Sequence, residues 1–118
     1  MGADQDVIDK FKVIDCEDYA KIELDKDVGA VVFGIDYSFN INKLHLATLY
    51  INELKARLIV TNPDHFTLIN GRRMPGNGCL VQSLLLTTGL KRSEFGKEGE
   101  PGTYDLIGKP NPYALRLV

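Results

Sequence analysis

Two apolar runs separated by a helix-length segment constrain this chain most. Val28-Gly29-Ala30-Val31-Val32-Phe33-Gly34-Ile35 carries no charge and is rich in β-branched residues, and Ala56-Arg57-Leu58-Ile59-Val60-Thr61 is apolar around its one charge, Arg57. Such runs predict strands buried on both faces, as in parallel sheets. Between them Leu44, Ala47, Ile51 and Leu54 recur at helical spacing, and Leu46 and Tyr50 widen the stripe. The spacing predicts a helix over 42–55, with Asn40 or Asn42 as its cap. No hairpin signal interrupts strand, helix and strand, so the order implies a right-handed βαβ unit.

Downstream, Asn62-Pro63-Asp64 stops the second strand. A loop is expected from there to Pro75, with Asn70-Gly71 as a turn. Pro75-Gly76-Asn77-Gly78 leads into a second helix over 79–88, and Gly89 is placed to end it. Residues 91–102 read as a long mobile surface loop. Asp105–Gly108 is a short third strand, and Asn111 and Pro112 open a helix that the chain leaves unfinished. Near the start, Phe11–Ile14 and Ala20–Leu24 partly alternate, which suggests two short strands. The expected organisation is a flank over 1–27, an α/β domain over 28–104, and a returning strand and helix start over 105–118.

With 118 residues there is room for one core. The 44% hydrophobic and 25% charged composition excludes a disordered acidic tail or a fibre. No apolar run approaches the roughly 20 residues that span a bilayer, and the polar, acidic first residues are unlike a signal peptide. So no membrane partner is expected. The net charge of −2 lacks the basic excess of a nucleic-acid binder. That charge is uneven: residues 1–27 sum to −5 and the remainder to +3. A mildly basic body suits an anionic ligand, and it equally suits an ordinary solvated surface. Cys16 and Cys79 have no CxxC spacing and read as free thiols in a reducing, cytoplasmic setting. Two histidines, His45 and His65, exclude a His-rich metal site.

Several residues fall where chemistry is expected. Asp36 follows the first strand, but a nucleophilic carboxylate of the phosphoryl-accepting kind would have a second acid two residues on, and that position is Ser38. Asp36 therefore reads as a strand-end turn former. Thr61-Asn62-Pro63-Asp64-His65 sits at the carboxyl end of the second run, where open α/β sheets place ligand contacts. An Asx-type turn would use the same residues. The PGNG segment offers backbone N–H groups to an anion, or simply close backbone packing. Arg72 and Arg73 can reach an anionic substrate or solvate a turn. Lys109, between a strand end and a helix start, can neutralise a phosphate or carboxylate or remain in solvent.

Taken in order, VGAVVFGID, Lys43-Leu44, IVTNPD, PGNG and Gly108-Lys109-Pro110 resemble the haloacid dehalogenase (HAD) superfamily. More narrowly they resemble its NagD-like branch, with 4-nitrophenylphosphatase, phosphoglycolate phosphatase and pyridoxal phosphatase. The resemblance covers residues 28–118. It implies a C2-type cap domain, a three-layer βαβαβ unit with a mostly parallel sheet. It implies a parent that hydrolyses a small phosphomonoester through an aspartyl-phosphate with Mg2+. Lys109 matches the charge-stabilising lysine of the GKP motif. Asn62 and Asp64 match the TNxD segment, and Asp64 to Met74, with His65, Arg72 and Arg73, becomes a substrate-selecting loop. Dimerisation through the cap is a further implication. The DxDG nucleophile motif and the late metal motif are absent, so the expectation is an inactive cap region that binds no metal. The alternative is a non-catalytic binding or dimerisation module with the same fold. A free-standing nucleotide binder is disfavoured because no phosphate-loop fingerprint follows the first strand.

Overall fold

The computed structural model describes residues 16–107. The suggested strand over Phe11–Ile14, the GKP-matched Lys109 and the helix opening at Asn111 lie outside them.

The two apolar runs become β1 (Ala30–Phe33) and β2 (Arg57–Val60), joined by α2 (Ile41–Leu54). They pair in parallel, Ala30 opposite Arg57 and Phe33 opposite Val60. Asn40 supplies the cap: its side chain accepts from the Lys43 N–H at 3.0 Å. The helix ends without glycine. Lys55 takes a left-handed φ of 57°, its N–H reaching back to Tyr50, and the chain turns directly into β2.

The sheet has four parallel strands in the order β1-β2-β6-β5, with β5 at Lys91–Arg92 and β6 at Thr103–Leu106. Thus β6 is hydrogen-bonded on both sides. The loop between them is held at several points, chiefly by Arg57, which donates to the Glu100 carbonyl at 2.8 Å and pairs with Asp105 at 2.8 Å. Gly96, Gly99 and Gly102 all take positive φ there.

The α/β expectation holds, with a parallel sheet. Burial on both faces of the first run does not. Phe33, Leu58, Val60 and Leu106 lie on one face and pack with Ala47 and Ile51 of α2 and with Val81 and Leu84 of α3 (Asn77–Thr88). On the other face Val32 is 47% exposed and Ala30 is exposed. Among the described residues the two long helices form one layer over one sheet face. The reason is that both helices pack on the Phe33 face, and an apolar run looks the same in sequence whether one face is covered or two.

Two further elements depart from expectation. Residues 20–24 do not form a strand; Cys16–Ala20 is a short helix, α1, with Glu17 and Asp18 in its first turn. Its Tyr19 is buried against α2, where the hydroxyl donates to Asn42 Oδ1 and the ring meets His45 edge-on at 4.2 Å. And the stretch expected as a loop contains a β-hairpin, β3 (Phe66–Ile69) with β4 (Arg72–Pro75).

Candidate functional site

The carboxyl ends of β1 and β2, the start of α3 and the base of the hairpin meet in one place. Asn77 ties them together. It is 1% exposed, and its Nδ2 donates to the Phe33 carbonyl at 3.1 Å and to the Asn62 carbonyl at 3.0 Å. Both Nδ2 bonds fix their neighbours, because losing either carbonyl would strand a desolvated donor; the Asn77 Oδ1 is buried with no hydrogen-bond partner among the described residues.

The PGNG glycines explain the close approach. A Cβ on Gly76 would stand 2.3 Å from the Asp64 carbonyl oxygen, and one on Gly78 2.4 Å from that of Pro63. Both contacts are to backbone, which cannot swing aside. The Gly76 N–H donates to the His65 carbonyl at 2.9 Å, and the Gly78 N–H to the Asp64 carbonyl at 2.7 Å. Those donors are used within the fold, so close packing, not an anion cradle, is what this segment provides.

From this base the hairpin projects. Asn70 and Gly71 take φ of 51° and 75°, so both central residues are left-handed, as the tight two-residue connection between Ile69 and Arg72 requires. All eight strand residues of the hairpin are exposed. Phe66, Leu68, Ile69 and Met74 are large apolar side chains in water. Side chains alternate across the ribbon. Phe66, Leu68, Arg73 and Pro75 share one side, and Thr67, Ile69, Arg72 and Met74 the other. Arg73 lies over the Phe66 ring, 3.8 Å from its centroid. The two arginines, grouped from sequence, thus stand on opposite sides of the ribbon.

The other expected residues are placed as follows. Asn62 is half-buried and donates from Nδ2 to the Asp64 carboxylate at 3.1 Å. Asp64 and His65 are exposed, and the His65 carbonyl also accepts from the Cys79 thiol at 3.0 Å. Thr61 Oγ1 faces the Phe33 carbonyl at 3.3 Å. Asn62, Asp64 and His65 therefore gather at the hairpin base, and Arg72 and Arg73 stand on its return strand.

Asp36 does form a strand-end turn, its carboxylate accepting the Ser38 N–H at 2.9 Å. It also makes an ion pair with Lys43 Nζ at 2.6 Å that sequence reasoning missed. Both side chains are largely buried, and Lys43 stands in the first turn of α2. Burial alone would raise the Asp36 carboxyl; the Lys43 ammonium and the Ser38 N–H outweigh it and hold it below the usual carboxylate range. The available signal was a lysine one turn into the helix that follows a strand-end acid. Asn77 gave no comparable signal.

Among the described residues no group of three or more His, Cys, Asp or Glu side chains could hold a metal ion. Asp36 is engaged by Lys43 and Ser38, and Asp64 by Asn62. The donor set present does not fit a divalent cation. Among the described residues no helix is long and apolar enough to cross a membrane.

No family model matches the chain. It is similar to glycerol-3-phosphate phosphatase of Rattus norvegicus, 33% identical over 102 residues, which cover 86% of this chain and 28% of the relative. It is similar to 4-nitrophenylphosphatase of Schizosaccharomyces pombe, 33% identical over 81 residues, 69% of this chain and 27% of the relative. Phosphoglycolate phosphatase 2 of Arabidopsis thaliana is 36% identical over 100 residues, 81% of this chain and 29% of the relative. Among solved structures, a hypothetical protein of Pyrococcus horikoshii superposes with a TM-score of 0.60 at 30% identity, covering 78% of this chain and 30% of that one. The chain spans less than a third of the length of each.

Proposed function

We propose a function from one premise: this chain belongs to the haloacid dehalogenase superfamily, as its phosphatase relatives show. In this reading residues 28–104 are the substrate-selecting cap of a phosphomonoester phosphatase, and residues 105–118 lead back toward its catalytic core. The single observation that carries it is the hairpin. Ten residues, Phe66 to Pro75, are anchored on a tightly packed base, yet their strand side chains are all exposed. Side chains that add nothing to the core are free to meet a ligand. Asn62, Asp64, His65, Arg72 and Arg73 line the route from sheet to hairpin tip and are the substrate-contacting set.

The reaction itself belongs to the core. Mg2+ and an aspartyl-phosphate are part of the proposal for the whole enzyme, and no step is assigned to them here because the described residues offer no fitting ligand set. Lys109 is proposed as the residue that balances phosphate charge. A homodimer through the cap and a cytoplasmic setting complete the reading.

An exchange protein tests it. The matched segment of rat glycerol-3-phosphate phosphatase is replaced by this chain's residues. The expected result is a phosphatase whose ranking of glycerol phosphate, phosphoglycolate and 4-nitrophenyl phosphate differs from the parent's. A folded exchange protein that keeps the parent's ranking rejects selection by this region. Hydrolysis by the isolated 118-residue chain would reject its assignment as a cap without a nucleophile.

A further inference from the structure

We propose that Arg73, laid on the ring of Phe66, is a specificity-determining residue that receives a second anionic group on the substrate, beyond its phosphate. The inference rests on the cap reading above and narrows its substrate class to phosphomonoesters whose alcohol portion carries a negative charge.

The stack is the first ground. The Arg73 guanidinium carbon lies 3.8 Å above the Phe66 ring centroid, on an exposed ribbon. The hairpin strands are already paired through their backbones, so the stack is not needed to close the ribbon. Its effect is to narrow the range of a flexible side chain. A guanidinium held over a ring still has N–H groups available for a two-point contact with a carboxylate or phosphate. Holding it in place beforehand lowers the ordering cost when the ligand arrives.

Unpaired charge is the second ground. The ion pairs among the described residues use Lys43 with Asp36, Arg57 with Asp105 and Lys97 with Glu94; none uses Arg73. The acid nearest in sequence, Asp64, accepts from Asn62. Apolar neighbours are the third. Phe66 and Leu68 share Arg73's side of the ribbon, and closing that side over a substrate would exclude water and strengthen the charge contact. Arg72, on the opposite side with no aromatic ring opposite it, lacks this preparation.

Two measurements test the assignment. In the chain itself, the Arg73 Nε–H resonance is followed by NMR during titration with phosphoglycolate and, separately, glycerol phosphate. A shift with the first that exceeds the second at equal concentration is expected; equal shifts, or none, overturn the assignment. In the exchange protein, Arg73→Gln should lower the kcat/KM ratio of phosphoglycolate over glycerol phosphate about tenfold, mainly through KM, as loss of one charged hydrogen-bonding pair predicts. Arg73→Lys should restore only part of it, because an ammonium lacks the planar fork. Phe66→Leu should move the ratio the same way by less. A ratio changed by less than about twofold in Arg73→Gln overturns the proposal. If the exchange protein hydrolyses none of these esters, the cap reading fails, and the NMR titration still decides whether Arg73 prefers the ligand with a second anionic group.

Discussion

The sheet-and-helix body and the hairpin use the same kinds of residue for opposite ends. In the body, Phe33, Leu58 and Leu84 are fully buried and α2 and α3 close over them. In the hairpin, Phe66, Leu68, Ile69 and Met74 are just as apolar and remain in water. The body contributes burial energy and receives its shape in return. The hairpin takes its position from the body, through Asn77 and the two close glycines, and contributes little to stability. A protein can change such a ribbon at small cost to its fold, which is what a selecting element needs.

The comparison breaks most sharply at a matched pair of leucines. Leu58→Ala, in the centre of the sheet, should destabilise the chain by about 3 kcal/mol in chemical denaturation. Leu68→Ala, 65% exposed on the hairpin, should stay within about 0.5 kcal/mol. Comparable losses at both would mean the hairpin is part of the core.

Asp36→Asn sharpens the account of the body. It leaves the Lys43 ammonium largely buried without its carboxylate, a loss of about 2 kcal/mol at pH 7. The pH dependence has a definite sign. The folded carboxyl lies below its ordinary value, so its stabilisation is complete above the unfolded pKa of about 3.9 and disappears as pH falls through the folded value. Denaturation midpoints of wild type and variant should therefore converge below about pH 4. A gap that stays constant down to pH 2 would show that the ion pair is not its cause.

A smaller effect than either core loss belongs to the turn. Gly71 has φ of 75° with open space around its Cα, so Gly71→Ala is disfavoured by conformation alone, by about 1 kcal/mol. Hydrogen exchange should quicken at the β3–β4 amides while those shared by β1 and β2 stay protected. Faster exchange in both would dissolve the distinction between the two regions.

How much of this was readable from the chain divides along the same line. The βαβ unit, the Asn40 cap and the Gly89 ending, with φ of 70°, follow from local pattern, because burial imposes period on sequence. The hairpin escaped because neither face of it is buried: Phe66-Thr67-Leu68-Ile69 and Arg72-Arg73-Met74-Pro75 have no core-facing alternation to betray a strand. Only Asn70-Gly71 marks it, and a turn dipeptide alone does not tell a hairpin from a turn within a loop. The open face of β1 escaped for the opposite reason, since Val32 is as apolar as any buried strand residue. Asn62, Asp64 and His65 were legible as a cluster at a strand end. Asn77 was not, because its buried role comes from the Phe33 and Asn62 carbonyls, distant in the chain; the Lys43–Asp36 pair, seven residues apart, left only the signal of a lysine in the first turn after a strand-end acid.

The central claim is that the hairpin chooses the substrate. The most direct measurement exchanges residues 66–75 alone, between rat glycerol-3-phosphate phosphatase carrying this chain's segment and the same enzyme carrying its own, and compares kcat/KM for phosphoglycolate and glycerol phosphate. The account predicts that the preference moves with these ten residues. A preference that stays with the rest of the cap would contradict it.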